Sequence, residues 1–362
     1  MRGGEQVVEA ICRLVPNADV FTMFYDPNRV SPLIRSRVVK ASFLNPLRRH
    51  YRSLLPLFPM ALESLDLRGY DLVISSESGP AKGVLTSSTT RHVCYCHSPM
   101  RYLWELYPAY LHDWTRPAWK RGLMAALAWP LRVWDFAAAA RVDEFLANSR
   151  NVQRRIWKTY RRESQVIYPP VAVESCYWKP AAEYYLIVAE LVAYKRVFDA
   201  VRFFSRTGRR LKIVGEGPEY AFLKRHAGAS VEFCGKVSSE ELRALYSRCR
   251  ALLMPGEEDF GMVAVEAMAS GKAVIALGRG GVLESVPAGD VHGGVFYEDP
   301  GEAGLEEAVN RFEELESFVL PAKLQSWAAR FSEARFREEM RQVIGLEGAE
   351  SDKAKLPARM PA

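Results

Sequence analysis

"YYLIVAELVAYKRVFDAVRFFSRTGRRLKIVGEGP", residues 184–218, holds two short apolar runs on either side of a helical stretch. "YYLIVA" 184–189 and "RLKIVG" 210–215 read as strands, and Lys195 stands beyond the first, where a helix starts. The second strand leads into "VGEGP" 214–218, a Gly-rich turn whose Pro218 can begin a helix. Strand–helix–strand alternation implies a parallel sheet covered by helices on both faces. The pattern continues through "SVEFCG" 230–235, "RALLMP" 250–255 and "KAVIAL" 272–277. An earlier series comprises "ADVFTMF" 18–24, "DLVISS" 71–76, "RHVCYCH" 91–97 and "DEFLANS" 143–149. Between the two lies "YPPVAVESCYWKP" 168–180, whose prolines break helix and strand alike. The expected fold is therefore α/β, with two doubly wound domains over 1–172 and 181–330 and a cleft between them. A helix over 331–346 closes the fold, and 347–362 reads as a disordered tail.

Composition narrows the class. A chain of 362 residues exceeds one typical core. No apolar run approaches the roughly 18–20 residues that span a bilayer, and the N-terminus lacks the order of a signal peptide. Six scattered cysteines argue for a reducing, cytoplasmic setting rather than a disulfide framework. Cys94, Cys96 and His97 have no second ligand pair at zinc spacing, so no metal site is expected. Charge is uneven: residues 1–170 hold 24 Lys/Arg against 14 Asp/Glu, and the remainder 25 against 29. No acid falls between Asp26 and Glu63, while Arg29, Arg35, Arg37, Lys40, Arg48, Arg49 and Arg52 do. An anionic partner for the first half, or a solvated basic face, would account for this.

The loops after three strands of the second series share one sheet edge. Besides Lys195 and the turn at Gly215 and Gly217, the third is "GEEDFGMVAVEAMASG" 256–271, where a helix begins after Gly261. Its first amides and dipole suit an anion, and Lys195 could add a point charge on a phosphate. Three acids stand beside this anion site. Either they favour the helix dipole or they hold the uncharged part of a ligand whose phosphates lie on the amides.

Glu258, Phe260, Gly261 and Glu266, eight residues after Glu258, together with "EAMASGKAVIA", resemble the signature of the retaining nucleotide-sugar glycosyltransferases of family 4. "ELVAYKR", "GEGPE", "VEFCGKVSSEELRALYSRCRALLMPG", "VCYCHSPMRYLWELY", "VDEFLANSRNVQRRI" and "VIYPPV" extend the likeness over roughly residues 1–340, and it looks closest to the O-antigen mannosyltransferase-like branch. The resemblance implies the GT-B fold, and hexosyl transfer, with mannose the leading sugar, in cell-surface polysaccharide or glycolipid synthesis. The donor it implies is a nucleotide-diphosphate sugar such as GDP-mannose, with no cofactor. Glu258 would read the donor sugar and Glu266 the ribose, while the amides of Gly261, Met262 and Val263 face the diphosphate. His97 would stand beside the sugar, orienting a hydroxyl or assisting with a proton near neutral pH. Gly3, Gly4, Arg101, Lys195, Gly215, Lys236 and Phe260 complete the donor site.

No two aspartates stand two positions apart, so the metal-holding Asp-x-Asp motif is absent and Lys195 with the amides would carry the charge. The chain departs from the family pattern at Glu190, five residues before Lys195, where an Arg is usual; Arg101 could supply that charge from across the cleft. A second departure is the start, "MRGGEQVVEAI", a turn and helix with no strand before them. It predicts that Met1 is internal and that the natural protein starts about 10 residues earlier, the length of a strand plus its turn. "LNPLRRHYRSLLPLFP" and "WTRPAWKRGLMAALAWPLRVW" combine bases with aromatics, broken into short helices by Pro46, Pro56, Pro59, Pro117 and Pro130. They fit either an anionic membrane surface at the inner face or the core of the first domain. No nucleic-acid motif accompanies the charge. A glycan or polyprenyl-linked acceptor fits best. A nucleotide-sugar epimerase and a degenerate sugar-nucleotide binder are the alternatives.

Overall fold

The β-branched and aliphatic runs form parallel sheets in a computed structural model that describes residues 3–111, 117–287 and 293–345. In the first half, β1 (Val20–Thr22) pairs with β2 (Val39–Ala41). A second sheet runs β3 (Leu72–Glu77), β4 (Arg91–Cys96), β5 (Glu144–Ala147) and β6 (Gln165–Val166), all parallel. In the second half six parallel strands lie in the order β12-β11-β10-β7-β8-β9. These are β7 (Tyr185–Val188), β8 (Leu211–Val214), β9 (Val231–Gly235), β10 (Ala251–Met254), β11 (Ala273–Leu277) and β12 (Gly294–Tyr297). β2, β6 and β12, of two to four residues, escaped the sequence reading.

Phe21 of β1 meets Tyr70 edge to face at 5.6 Å, and Asp19 accepts from both Tyr70 and Lys40. β1 and β3 nevertheless share no ladder among the described residues. The expected earlier strand turns on Met1, which lies outside the described residues, as does the tail 347–362.

The opening helix Gly3–Leu14 packs Val7, Ala10 and Ile11 against Val93 and Tyr95 of β4. Phe336, Met340 and Ile344 of the last helix, Glu333–Ile344, join the same cluster, each contributing roughly 1.5–3 kcal/mol by burial. The end of the chain thus returns to the first sheet. Val171 donates to the Phe331 carbonyl (2.9 Å) where the two crossing strands of chain meet.

One expectation is corrected. Pro130 does not break its segment, since a single helix runs Ala118–Ala140 with Pro117 at its N-cap. Pro130 and Ala126, whose carbonyl loses its partner, both lie on the exposed face, where water can take over the bond.

The halves are latched where the helix Arg150–Tyr160 meets the short helix Val282–Ser285. Ser149 caps the former by accepting from Val152 N (3.0 Å) and donates its hydroxyl to the Asp259 carbonyl (2.6 Å). Glu284 accepts from the amides of Arg150 (2.7 Å) and Asn151 (2.8 Å), two first-turn donors without intrahelical acceptors. Glu284→Ala should cost about 1.5–3 kcal/mol in urea unfolding, the range for a hydrogen bond to a charged group. A loss below about 0.5 kcal/mol, within the range of an ordinary surface change, would show the latch to be idle.

Candidate functional site

In the six-stranded sheet β7 neighbours β8 on one side and β10 on the other, so the strand order switches there. A crevice opens at such a point beyond the carboxyl ends of the strands. The loop after β7 carries Lys195 to one side of it, and the loop after β10 carries 256–261 to the other. At Gly256 a Cβ would stand 2.6 Å from Lys195 Cα, so only glycine lets the loops touch. Lys195 Nζ pairs with Glu258. Burial alone would pull the ammonium down, yet the Glu258 carboxylate holds its pKa above the ordinary value. Gly261, at a left-handed φ of 91°, turns the chain into the helix Met262–Ala269. The first-turn amides of Met262 and Val263 have no intrahelical acceptor and sit at the positive end of the dipole.

The first half supplies the opposite wall. A Cβ at Gly3 would lie 2.8 Å from Met262 Sδ, and one at Gly4 3.5 Å from His97 Nε2. The N-termini of two helices, one from each half, therefore converge beside His97. Arg101 Nη1 reaches Asp259 Oδ1 (3.3 Å), and its guanidinium lies over the ring of Tyr194 (5.4 Å to the centroid), the residue before Lys195. Glu266 accepts from Tyr246 Oη (2.8 Å) and from Gln6 of the opening helix, while burial pushes its pKa up.

Two sequence-predicted residues do not join this group. Phe260 is buried between Tyr168 (5.4 Å) and Phe331 (5.3 Å), so its ring belongs to the core and anchors the loop instead of touching a ligand. Lys236 follows β9 at the sheet's edge and is exposed, without a hydrogen bond or ion pair among the described residues. Gly215 closes β8 one strand from the switch, its amide bonded to the Gly235 carbonyl (2.9 Å).

Arg155 escaped notice in the sequence. Only 12% exposed, it reaches from the helix Arg150–Tyr160 across the cleft to Asp259 and to Glu257 (2.5 Å), the neighbours of Glu258. Lys195, Arg101 and Arg155 thus face Glu257, Glu258 and Asp259. No sequence spacing links Arg155 to residues about a hundred positions away; the only signal was an Arg-rich helix after a capping Ser149.

His97 also departs from expectation. Burial pushes its pKa down to about 4, with Asp259 pulling the other way. Nε2 lies 2.9 Å from Ser76 Oγ. The ring is neutral at pH 7, suited to orienting a hydroxyl and not to carrying a proton near neutrality. Among the described residues no group of three or more His, Cys, Asp or Glu could hold a metal ion.

Residues 1–175 match the family profile described as Glycosyltransferase Family 4, and residues 178–330 that of Glycosyl transferases group 1. The chain belongs to the GT-B glycosyltransferases of family 4. It is 28% identical over 177 residues to an uncharacterised glycosyltransferase of Methanocaldococcus jannaschii, covering 48% of this chain and 50% of that protein. It is 26% identical over 228 residues to the O-antigen chain mannosyltransferase RfbU of Salmonella typhimurium, covering 58% and 61%. The chain therefore spans about half the length of the curated relatives it matches. The sucrose-phosphate synthase of Thermosynechococcus elongatus superposes with a TM-score of 0.70 at 19% identity, over 95% of this chain and 92% of that one. Anabaena HepE, solved with UDP and glucose, gives 0.68 at 17% identity, over 95% and 96%. Both likenesses are of fold.

The state of His97 in this glycosyltransferase can be measured directly. Its imidazole resonances should titrate near pH 4, not 6.5. The unfolded chain takes up that proton near pH 6.5 and the folded chain only near 4, so acid favours unfolding between those values. Wild type should lose stability relative to His97→Asn as pH falls through that window, by on the order of 3 kcal/mol. A midpoint near 6.5 would restore the proton-carrying role.

Proposed function

We propose that this glycosyltransferase is a metal-independent, retaining hexosyltransferase that moves a sugar, mannose first among candidates, from a nucleotide-diphosphate donor to a glycan or lipid-linked acceptor in cell-surface polysaccharide or glycolipid synthesis. The observation that carries the reading is the convergence of two helix N-termini, Lys195 and Arg101 on one cleft that also presents Glu258. Cations and amides suit a diphosphate; an acceptor-only carboxylate suits sugar hydroxyls. The HepE structure with UDP and glucose and the likeness to RfbU support a nucleotide-sugar donor and a role in glycan assembly.

The Lys195–Glu258 pair suggests how binding proceeds. An arriving diphosphate offers Lys195 a stronger partner, and Lys195 leaves Glu258, which then accepts from the donor sugar. Glu266, oriented by Tyr246, takes the ribose. As the glycosidic bond breaks, negative charge grows on the departing phosphate, where the amides of Met262 and Val263 and the Lys195 ammonium are already aimed. These fixed charges do the work that a metal would do elsewhere. Neutral His97 orients a hydroxyl of sugar or acceptor. Retention of configuration follows from the family resemblance and is part of the proposal.

Titration with a panel of nucleoside diphosphates tests the site. Lys195→Ala should weaken the bound one by about 1.5–3 kcal/mol. Glu258→Gln should hold or raise that affinity, since it releases Lys195, while removing most turnover. Equal affinities and rates in wild type and both variants would refute the assignment.

Product analysis tests the chemistry. Turnover should require an acceptor, survive EDTA, and give a product with the donor's anomeric configuration by NMR. Loss with EDTA refutes metal independence, an inverted product refutes retention, and sugar conversion without acceptor favours an epimerase.

A further inference from the structure

The helix Ala118–Ala140 turns an unusual face to solvent. Trp119, Leu123, Trp129, Val133 and Phe136 are 47–71% exposed. They recur at helical spacing, and every other exposed position on that side of the helix after Trp119 is Gly, Ala or Pro. At 1.5 Å per residue the stripe from Trp119 to Phe136 extends over about 26 Å, with no exposed charge on it among the described side chains. The opposite side of the same helix is used up inside the fold. Ala128 and Leu131 pack with Met100 and Leu103, and Asp135 takes Lys82 and Trp104 Nε1 (2.7 Å). The exposed side is therefore not core, whereas Leu131, Trp134 and Leu55 of the same two segments are packed inside the first half.

Beside it lies the acid-free basic segment. Its Leu55 packs into the cluster of Ala128 and Leu131. Arg48, Arg49, Leu47 and Tyr51 of the same segment are exposed. An apolar stripe bearing tryptophans next to a basic flank is complementary to the surface of an anionic bilayer: indoles enter the headgroup boundary and the bases meet lipid phosphates. A second copy would bring two basic faces together, which like charge opposes.

We propose that the exposed side of the helix Ala118–Ala140, flanked by the 45–57 segment, is a docking surface for anionic lipid bilayer. It deepens the lipid-linked-acceptor reading, because the buried side of the same helix is tied through Asp135 and Trp104 to the loop that carries Arg101. Docking would seat the cleft at the surface where such an acceptor lies.

The test is co-sedimentation of the full chain with phosphatidylglycerol-containing and pure phosphatidylcholine vesicles, in the absence of substrate. Wild type should bind the anionic vesicles and lose binding with salt. Trp119→Gln/Trp129→Gln should bind at least tenfold more weakly, with an unchanged melting temperature and an unchanged shift on adding nucleoside diphosphate. Arg48→Gln/Arg49→Gln should weaken binding and flatten its salt dependence. Absence of vesicle binding by wild type, or equal binding by the tryptophan variant, overturns the proposal. So does a wild-type dimer in sedimentation velocity that the tryptophan variant turns to monomer. The nucleotide response is read separately, so its loss would count against the transferase reading and leave this one standing.

Discussion

Three carboxylates in a row, at 257, 258 and 259, would repel one another and any phosphate brought near them. They are tolerated because three cations from different parts of the chain meet them. Lys195 comes from the neighbouring loop of the same sheet, while Arg101 and Arg155 cross from the first half. This charge balance fixes the loop's shape and at the same time holds the two halves together. Glu284 on the helix amides of Arg150 and Asn151 and Ser149 on the Asp259 carbonyl reinforce the same seam. Partly buried pairs of this kind contribute more to geometry than to stability, since desolvation offsets much of their attraction. What they secure here is the distance between the opening helix, His97 and the helix Met262–Ala269.

A second charged group stands behind the first-half wall. Lys82 is wholly buried between Glu77 (3.2 Å) and Asp135. One cation among two acids leaves a surplus negative charge in a dry place, and burial accordingly pushes the Glu77 pKa up to about 7. Asp135 also accepts from Trp104 Nε1 (2.7 Å) and Tyr160 Oη (2.8 Å), while the Glu77 carbonyl accepts from His97 N (2.6 Å). The strand end bearing His97, the loop bearing Arg101 and the long helix are thereby fastened to one point. A flexible first-half wall would spoil the placement of both residues.

How much of this was legible in the sequence follows from the range of each interaction. Strand runs and the Gly261 turn are local, and alternation with helices made the parallel α/β architecture readable. Lys195, Glu258 and the 261–263 amides were legible because each follows a strand of one series, so topology gathers them on one edge. Arg155, Ser149 and Glu284 were not, because their roles exist only once two domains face each other. The burial of the Phe260 ring was hidden for a related reason: the residues just before it are acidic, and the aromatic slot formed by Tyr168 and Phe331 comes from distant segments. For His97 the sequence located the strand end but not the state of the ring. Burial, which a sequence does not display, decides its protonation.

The departure at Glu190 now has a physical context. That residue is exposed, and the cations nearest the crevice are Lys195, from the same half, and Arg101, from the other. Where a second cation sits in the same domain as the phosphate amides, a donor can be gripped fully before the halves approach. Here the second cation arrives with the opposite wall, stacked over Tyr194 and paired with Asp259. On the proposed reading, full neutralisation of the diphosphate therefore depends on the closed arrangement of the two halves. Asp259, next to the acid that on this reading takes the sugar, draws in the arginine that completes the phosphate site, so donor recognition and domain approach are electrostatically linked.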